Sequence, residues 1–260
     1  MSTPVLLLDE RHRLIRERLS DQGRVLAADL ARELGASEDT IRRDLRELAS
    51  LGVCRRVYGG ALPISPASGA LAERRLQRPE RKLVLAREAV KLVAPGQFLF
   101  LDAGSTNLAI AEALPSGADL TIAANAPAIA ACFTGRPGFQ VLLVGGRLDL
   151  DLGAALGAQA IRDIGAMTPD LCFLGACALD AQAGVRAFNF EDAAFKRALA
   201  ERSRSVVVAA TSDKLGASAH FDVTPAADID HLVVEADAPA AAVAPFERLG
   251  IEIHRASDAD

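Results

Sequence analysis

Ser37-Glu38-Asp39-Thr40-Ile41-Arg42-Arg43-Asp44-Leu45-Arg46-Glu47-Leu48 reads as a short amphipathic helix. Ile41, Leu45 and Leu48 recur at i, i+4 and i+7, so they share a core-facing stripe. Thr40, Arg42, Arg43 and Arg46 fall on the outer surface. Ser37 or Asp39 can accept from the free N–H groups at the helix start. Guanidinium forks suit both phosphates and the O6/N7 edge of guanine. A capped helix with an apolar stripe and an Arg/Thr outer face meets the needs of a DNA recognition helix; the plain alternative is a solvated charged face.

The flanking residues decide between these readings. Ala27 to Gly35 forms another helix, with Leu26, Leu30 and Leu34 on one face and Ala27 and Ala31 allowing close approach. Gly35 suits a helix C-cap, and Gly35-Ala36 is the short turn of a helix-turn-helix. An earlier helix, roughly Glu10 to Leu19, supplies Leu14, Ile15 and Leu19 for packing. After Leu51-Gly52, the run Val53-Cys54-Arg55-Arg56-Val57-Tyr58-Gly59-Gly60-Ala61 reads as a strand and turn. This is a wing, with Arg55, Arg56 and Tyr58 placed for the DNA backbone. The expected DNA-contacting set is Ser37, Thr40, Arg42, Arg43, Arg46, Arg55, Arg56 and Tyr58.

Residues 1–62 carry 11 Arg, no Lys and 10 acidic residues, a net +1. The remaining 18 basic and 24 acidic residues leave the rest at −6, and the whole chain at −5. Such a chain is not a general polyanion binder. Its arginines are placed rather than abundant, which favours docking at defined sites by a dimer.

The pattern Thr40-Ile41-Arg42-Arg43-Asp44-Leu45, with Leu48, Gly52, Arg55-Arg56 and Gly59-Gly60-Ala61, resembles the signature of the DeoR family of bacterial transcriptional regulators. The resemblance runs from about Glu10 to Leu62, with Ala36 where the family usually has Val.

The chain has 260 residues, room for this module and one larger domain. Hydrophobic residues make up 50% and aromatics 4%, with no Trp, so the core is expected to be aliphatic. Val5-Leu6-Leu7-Leu8 is too short for a signal-peptide core, and no apolar run approaches the ~20 residues that span a bilayer. The expectation is a cytoplasmic protein with no membrane partner. Cys54, Cys132, Cys172 and Cys177 form no Cys-x-x-Cys pair, and the four histidines at 12, 220, 231 and 254 are scattered. Reduced thiols, buried at Cys132, Cys172 and Cys177, and no metal site are expected.

Leu62 to Ala70 is a linker by composition, and Leu71 to Leu92 a charge-dense helix that Pro79 interrupts. That helix reads as a connector between domains or as a solvated surface helix. The division is then 1–62 winged helix-turn-helix, 63–95 linker and connector, and 96–260 sensor.

From Phe98 onward, short apolar runs alternate with helical segments: 98–101, 120–123, 141–144, 171–174, 206–209 and 232–234. Strands buried on both faces look like this, so a mostly parallel α/β sheet covered by helices is expected. Ligands bind such sheets beyond the carboxyl ends of strands. There the sequence places Asp102-Ala103-Gly104-Ser105-Thr106-Asn107, Asn125, Gly145-Gly146-Arg147, Gly175, Asp180 and Thr211-Ser212-Asp213-Lys214, with Glu191 and Lys196 on a helix. Glycine admits close approach, and hydroxyls with free helix N–H groups suit a phosphate. Neither Gly-x-Gly-x-x-Gly nor a P-loop is present, so no nucleotide cofactor is expected.

Asp102-x-Gly104-Ser105-Thr106, Asn125, Gly145-Gly146, Gly157, Phe173-x-Gly175, Asp180, Gly184, Asn189 and Lys196, with Ser212-x-Lys214, also resemble the DeoR-type sensor domain in order. The resemblance implies the ribose-5-phosphate isomerase/CoA-transferase fold and a phosphorylated sugar or polyol as effector. It implies Gly104, Ser105 and Thr106 near the phosphate, Asp102 and Asn125 near hydroxyls, and Lys214 as a closing cation. Ala124, Cys177-Ala178-Leu179 and Asp213 depart from the family pattern; Asp213 sets a negative charge beside Lys214. The expected effector set is Asp102, Gly104, Ser105, Thr106, Asn125, Gly145, Gly146, Arg147, Asp180, Glu191, Lys196 and Lys214.

The leading expectation is a repressor, a homo-oligomer whose hold on operator DNA is set by that effector. The alternative is a sugar-phosphate isomerase with an accessory DNA-binding domain, which needs Glu191 or Asp180 as a positioned base. A third reading is an interaction protein with an empty pocket.

Overall fold

A computed structural model describes residues 7–22, 25–51, 53–63 and 70–257, which form two compact units divided at Ser65. The first contains α1 (Leu8–Gln22), β1 (Val25–Leu26), α2 (Ala27–Leu34), α3 (Glu38–Ser50), β2 (Cys54–Val57) and β3 (Gly60–Pro63). Gly35 ends α2 in the left-handed region at φ 62°, and its N–H returns to the Ala31 carbonyl. Ser37 caps α3 by accepting from the Thr40 N–H. The expected stripe holds: Ile41, Leu45 and Leu48 are buried with Ile15, Leu19, Leu30 and Leu34. Leu26 does not join them; it precedes α2 and is exposed.

Residues 25–26 add a strand that was not anticipated. β1 pairs antiparallel with β3, giving the order β1-β3-β2. Gly60 permits this, because a Cβ there would lie 1.9 Å from the Val25 carbonyl oxygen.

The second unit opens with α4 (Leu71–Leu76) and α5 (Pro79–Ala89). The expected single helix is split. Arg78 sits at φ 48° before Pro79, whose ring supports a helix start but not an interior. There follow β4 (Phe98–Leu101), α6 (Ser105–Ala113), β5 (Leu120–Ala124), α7 (Pro127–Ala131) and β6 (Phe139–Leu143). The chain continues through β7 (Arg147–Asp149), β8 (Ala154–Leu156), α8 (Ala158–Gly165), β9 (Leu171–Phe173), β10 (Ala178–Asp180) and β11 (Gly184–Ala187). It ends with α9 (Phe190–Arg202), β12 (Val206–Ala209), β13 (Phe221–Thr224), β14 (His231–Glu235), α10 (Ala240–Glu247) and β15 (Glu252–Ala256).

Seven strands form one wholly parallel sheet, ordered β15-β14-β12-β9-β4-β5-β6. Its inner strands are apolar on both faces, as in Leu99-Phe100-Leu101 and Val206-Val207-Val208, and are buried throughout. From β4 the chain builds outward to β5 and β6, then returns to β9 on the other side of β4. Between β4 and β9 the connections diverge, which opens a crevice beyond their carboxyl ends. Two antiparallel additions, β7-β8 and β10-β11-β13, flank the sheet. Among the described residues no helix is long and apolar enough to cross a membrane.

Candidate functional sites: an arginine-faced helix and an anion cavity

On α3 the buried side chains are Ile41, Asp44, Leu45 and Leu48. At ~100° per residue the opposite face carries Arg42, Arg43 and Arg46, all exposed. Arg42 is drawn along its own helix to Glu38 at 2.9 Å. Arg43 and Arg46 make no ion pair among the described residues. Ser37 and Thr40 share a 2.8 Å hydroxyl contact, so both are engaged in the helix cap. Tyr58 is fully exposed at the β2–β3 turn, and Arg56 is exposed beside it. Arg55 lies in β2, but its side chain falls outside the described residues.

Asp44 plays a part the sequence pattern did not suggest. It is buried, and Arg11 of α1 grips it with Nε at 2.8 Å from Oδ2 and Nη2 at 3.1 Å from Oδ1. This bidentate pair fixes the angle at which α3 leaves the core.

In the second unit, the crevice at β4 and β9 contains an inner cavity of about 30 Å³, lined among others by Gly104, Ser105, Thr106, Gly175, Cys177 and Lys196. It adjoins an outer cavity of about 340 Å³ that shares Arg74, Ser105 and Lys214 and adds Arg78 and Lys82. The inner wall is the start of α6, where the first-turn N–H groups have no intrahelical acceptors. A Cβ on Gly104 would meet nothing within 4 Å, so this residue faces open space.

Below the cavity lies a buried charge triad. Lys196 Nζ is 3.1 Å from Asp102 Oδ2 and also contacts Asp192. Burial opposes the ammonium, but Asp102 and Asp192 outweigh it and raise the Lys196 pKa. Burial pushes the Asp102 carboxyl upward, and Asp192 adds to this against Lys196. Asp102 also accepts from the Gly175 N–H at 2.9 Å, which ties the β4 end to the β9 end. Asn107 reinforces this joint by donating to the carbonyls of Asp102 and Phe173 at 2.8 and 2.7 Å.

Cations dominate the outer wall. Burial, then Lys214 and Arg74, push Lys82 down to about 8. Burial, then Arg74, also lowers Lys214. Asp213 also lines this cavity and favours the charged forms of Lys82 and Lys214, while Arg78 holds it at 2.8 Å. Arg74 Nε and Thr106 Oγ1 are buried without a hydrogen-bond partner among the described residues. Unpaired buried groups of this kind are costly unless a ligand or water engages them.

The structure thus gathers Gly104, Ser105, Thr106, Lys196 and Lys214 at one cavity, with Asp102 beneath. Six other expected residues stand elsewhere. Asn125 is buried behind the wall, where Oδ1 accepts from the Ala103 N–H at 2.9 Å. Gly146 accommodates β8, since a Cβ would lie 2.6 Å from the Leu156 carbonyl oxygen; Gly145 precedes it outside the lining. Arg147 and Glu191 form an exposed pair with each other. Asp180 accepts from Gln182 and Ala183 N–H groups in the β10–β11 turn. Each lies at or next to the end of a strand or helix, where polar residues and glycines serve turns and caps as well as ligands.

Sequence reasoning missed Arg74, Arg78 and Lys82, because they belong to the segment that reads as a connector or a solvated surface helix. It also missed Cys177 and Asp192 in the wall. Among the described residues none of the four thiols forms a disulfide; Cys132 and Cys177 are half-buried, whereas Cys54 and Cys172 are buried. Burial pushes Cys172 up to about 12.

An arginine-faced helix-turn-helix with a wing, carried on a chain with a separate α/β unit that holds an anion-suited cavity, defines the class of ligand-sensing DNA-binding proteins. Residues 11–67 match the DeoR-like helix-turn-helix domain and residues 77–236 the DeoR C terminal sensor domain. The chain belongs to the DeoR family of DNA-binding transcriptional regulators. It is 31% identical to the HTH-type transcriptional regulator GlpR of Haloferax volcanii, over 95% of this chain and 98% of that one. It is 30% identical to the Glycerol-3-phosphate regulon repressor of Escherichia coli K12, over 88% and 92% respectively. Ribose 5 phosphate isomerase A from Neisseria gonorrhoeae aligns at 16% identity and a TM-score of 0.39, over 53% of this chain and 54% of that one.

Proposed function

We propose that this protein is a repressor whose operator binding is controlled by a phosphorylated sugar or polyol held in the β4/β9 cavity. The observation that carries this is the pairing of unsatisfied Arg74 Nε and Thr106 Oγ1 with the open Gly104 and the α6 start. The α6 N–H groups and the Arg74, Lys82 and Lys214 cations favour a dianion such as a phosphate. Asp192 and the Asn107 side-chain carbonyl offer acceptors near the hydroxyl-bearing remainder. A relative named for the glycerol-3-phosphate regulon supports the ligand class.

α4 links ligand to response. It supplies Arg74, and its first residue docks through the Leu71 N–H to the Asp151 carbonyl at 2.7 Å. A bound phosphate neutralises Arg74 and stabilises α4 in its docked position. The effector shifts operator binding only because it favours one placement of α4 over another. On this reading residues 1–62 bind DNA, 63–95 relay and 96–260 sense, and the regulator acts in the cytoplasm without a cofactor.

The isomerase alternative is disfavoured by its bases. Glu191 is paired outside the cavity and Asp180 is committed to a turn. Asp192, within the wall, is held by Lys196. The relatives above are themselves transcriptional regulators.

A thermal-shift screen of phosphorylated sugars and polyols identifies the effector, since binding to the native state raises its stability. Ser105→Glu then places a carboxylate before the α6 N–H groups. Operator affinity should persist, and its response to the effector should vanish. A Ser105→Glu protein that responds as the parent does sinks the assignment.

A further inference from the structure

At the far end of the sheet from the cavity, two histidines separated by 23 residues converge with a carboxylate. His231 starts β14, and the parallel register sets it beside Glu252 of the edge strand β15. His254 lies two residues on from Glu252, so all three side chains share one face. The β14 rise of about 3.3 Å per residue puts roughly 13 Å between this group and Glu235, the strand's carboxyl end.

The donor groups cluster closely, with Glu252 facing the two rings through its two different oxygens. His231 Nδ1 is 3.1 Å from His254 Nε2 and 3.3 Å from Glu252 Oε2. His254 Nε2 is 3.6 Å from Glu252 Oε1. A tetrahedral zinc ion with bonds of about 2.0–2.1 Å has ligand–ligand edges of about 3.3–3.4 Å, which these separations bracket. Hydrogen bonding alone satisfies the cluster poorly. Two neutral imidazoles cannot satisfy all three edges: if both rings donate to Glu252, their N–H groups oppose each other at 3.1 Å, and if one ring donates to the other, the accepting nitrogen sets its lone pair against the carboxylate. One cation can take one donor atom from each of the three residues together, since such atoms lie within 4.8 Å of one another.

We propose that His231, Glu252 and His254 form a binding site for a divalent transition metal, with zinc as the best fit to two imidazoles and one carboxylate. The ion fastens edge strand β15 to β14 and leaves an outward position for water or a further donor. Glu252 is 65% exposed, so the site is reachable from solvent. The site is independent of the effector cavity and of the regulatory role assigned to it. It reverses the expectation of no metal, which followed from the wide spacing of the histidines along the chain.

The test uses full-length protein stripped with a chelator and dialysed against Zn2+ or Co2+. One ion per chain should bind and raise the melting temperature. The Co2+ form should show the visible bands of a four-coordinate site without the strong near-ultraviolet band of a thiolate, which excludes the four cysteines. Glu252→Gln should weaken binding by roughly 10- to 100-fold with the apo melting temperature unchanged, because the side chain is exposed. The double change His231→Gln, His254→Gln should abolish it. Absence of stoichiometric binding, a thiolate band, or retention by the double variant overturns the proposal.

Discussion

At Gly175 an added Cβ would lie 2.7 Å from Asp102 Oδ2 and 2.9 Å from the Ala103 carbonyl oxygen. Gly175→Ala must therefore displace the buried triad, and should lower stability by about 1–3 kcal/mol while abolishing the effector response. Gly104→Ala differs, because its methyl enters open cavity space. Stability should stay within about 0.5 kcal/mol, and effector affinity should fall. Thermal melts with and without ligand separate the two; equal destabilisation would refute the distinction. Lys82 predicts a pH dependence. Its pKa is about 8 in the free protein. A bound anion favours the ammonium and raises that value, so binding takes up a proton above pH 8. Affinity for the effector should be flat below pH 8 and fall by up to about tenfold per unit above it. Calorimetric titration at pH 7 to 9.5 checks this, and Lys82→Met should flatten the profile. A parent profile that is already flat removes Lys82 from the site. Gly104, Ser105 and Thr106 were legible because a glycine and hydroxyls at a helix start already suggest anions. Arg74 and Lys82 were not, since a charged helix looks the same whether its cations face water or a ligand.

The helix proposed to read DNA depends on a contact outside itself. α3 is held by the apolar stripe and by the Arg11–Asp44 pair, with Asp44 buried and Arg11 nearly so. Asp44→Ala removes the buried carboxylate that Arg11 grips across the two helices and should destabilise the helix-turn-helix by about 3–5 kcal/mol. Denaturant melts of the full chain, followed by a probe in the first unit, measure this; a loss below about 1 kcal/mol would show the pair to be a surface-like bridge. Arg43→Ala should leave folding intact and weaken operator binding by about 1–3 kcal/mol if it meets a base edge. Arg42→Ala should cost less, because Arg42 must first leave Glu38. Gel-shift titration at fixed salt ranks them, and unchanged affinity in both would exclude this face. The 3.6-residue period made α3 readable, and continuous apolar runs exposed six of the seven sheet strands. β15 stayed hidden because Glu252-Ile253-His254-Arg255 is an edge strand with polar side chains. The β7-β8 and β10-β11-β13 ribbons are three or four residues per strand, too short for alternation to register.

For the molecule as a whole, β6 is the sheet's other edge, and Val141, Leu142 and Leu143 are exposed on it. An open apolar edge invites pairing with another chain. Two copies joined there would present two recognition helices for half-sites about 34–36 Å apart or a multiple. Leu142→Asp with Leu143→Asp should shift sedimentation toward monomer and weaken operator binding. A parent that sediments as a monomer at micromolar concentration rules the dimer out, and a double variant that stays associated places the interface elsewhere. Periodicity, caps and turn residues are local, so the sequence by itself determined the helix-turn-helix, the parallel α/β class and the anion-suited loop after β4. Strand order is a long-range choice. Only the tertiary structure set β9 beside β4, which created the crevice, brought α4 over it as a cationic wall and sent Asn125, Asp180 and Glu191 to other tasks. The same long-range pairing joined His231 to Glu252 and His254, because contact across a sheet depends on register rather than on distance along the chain.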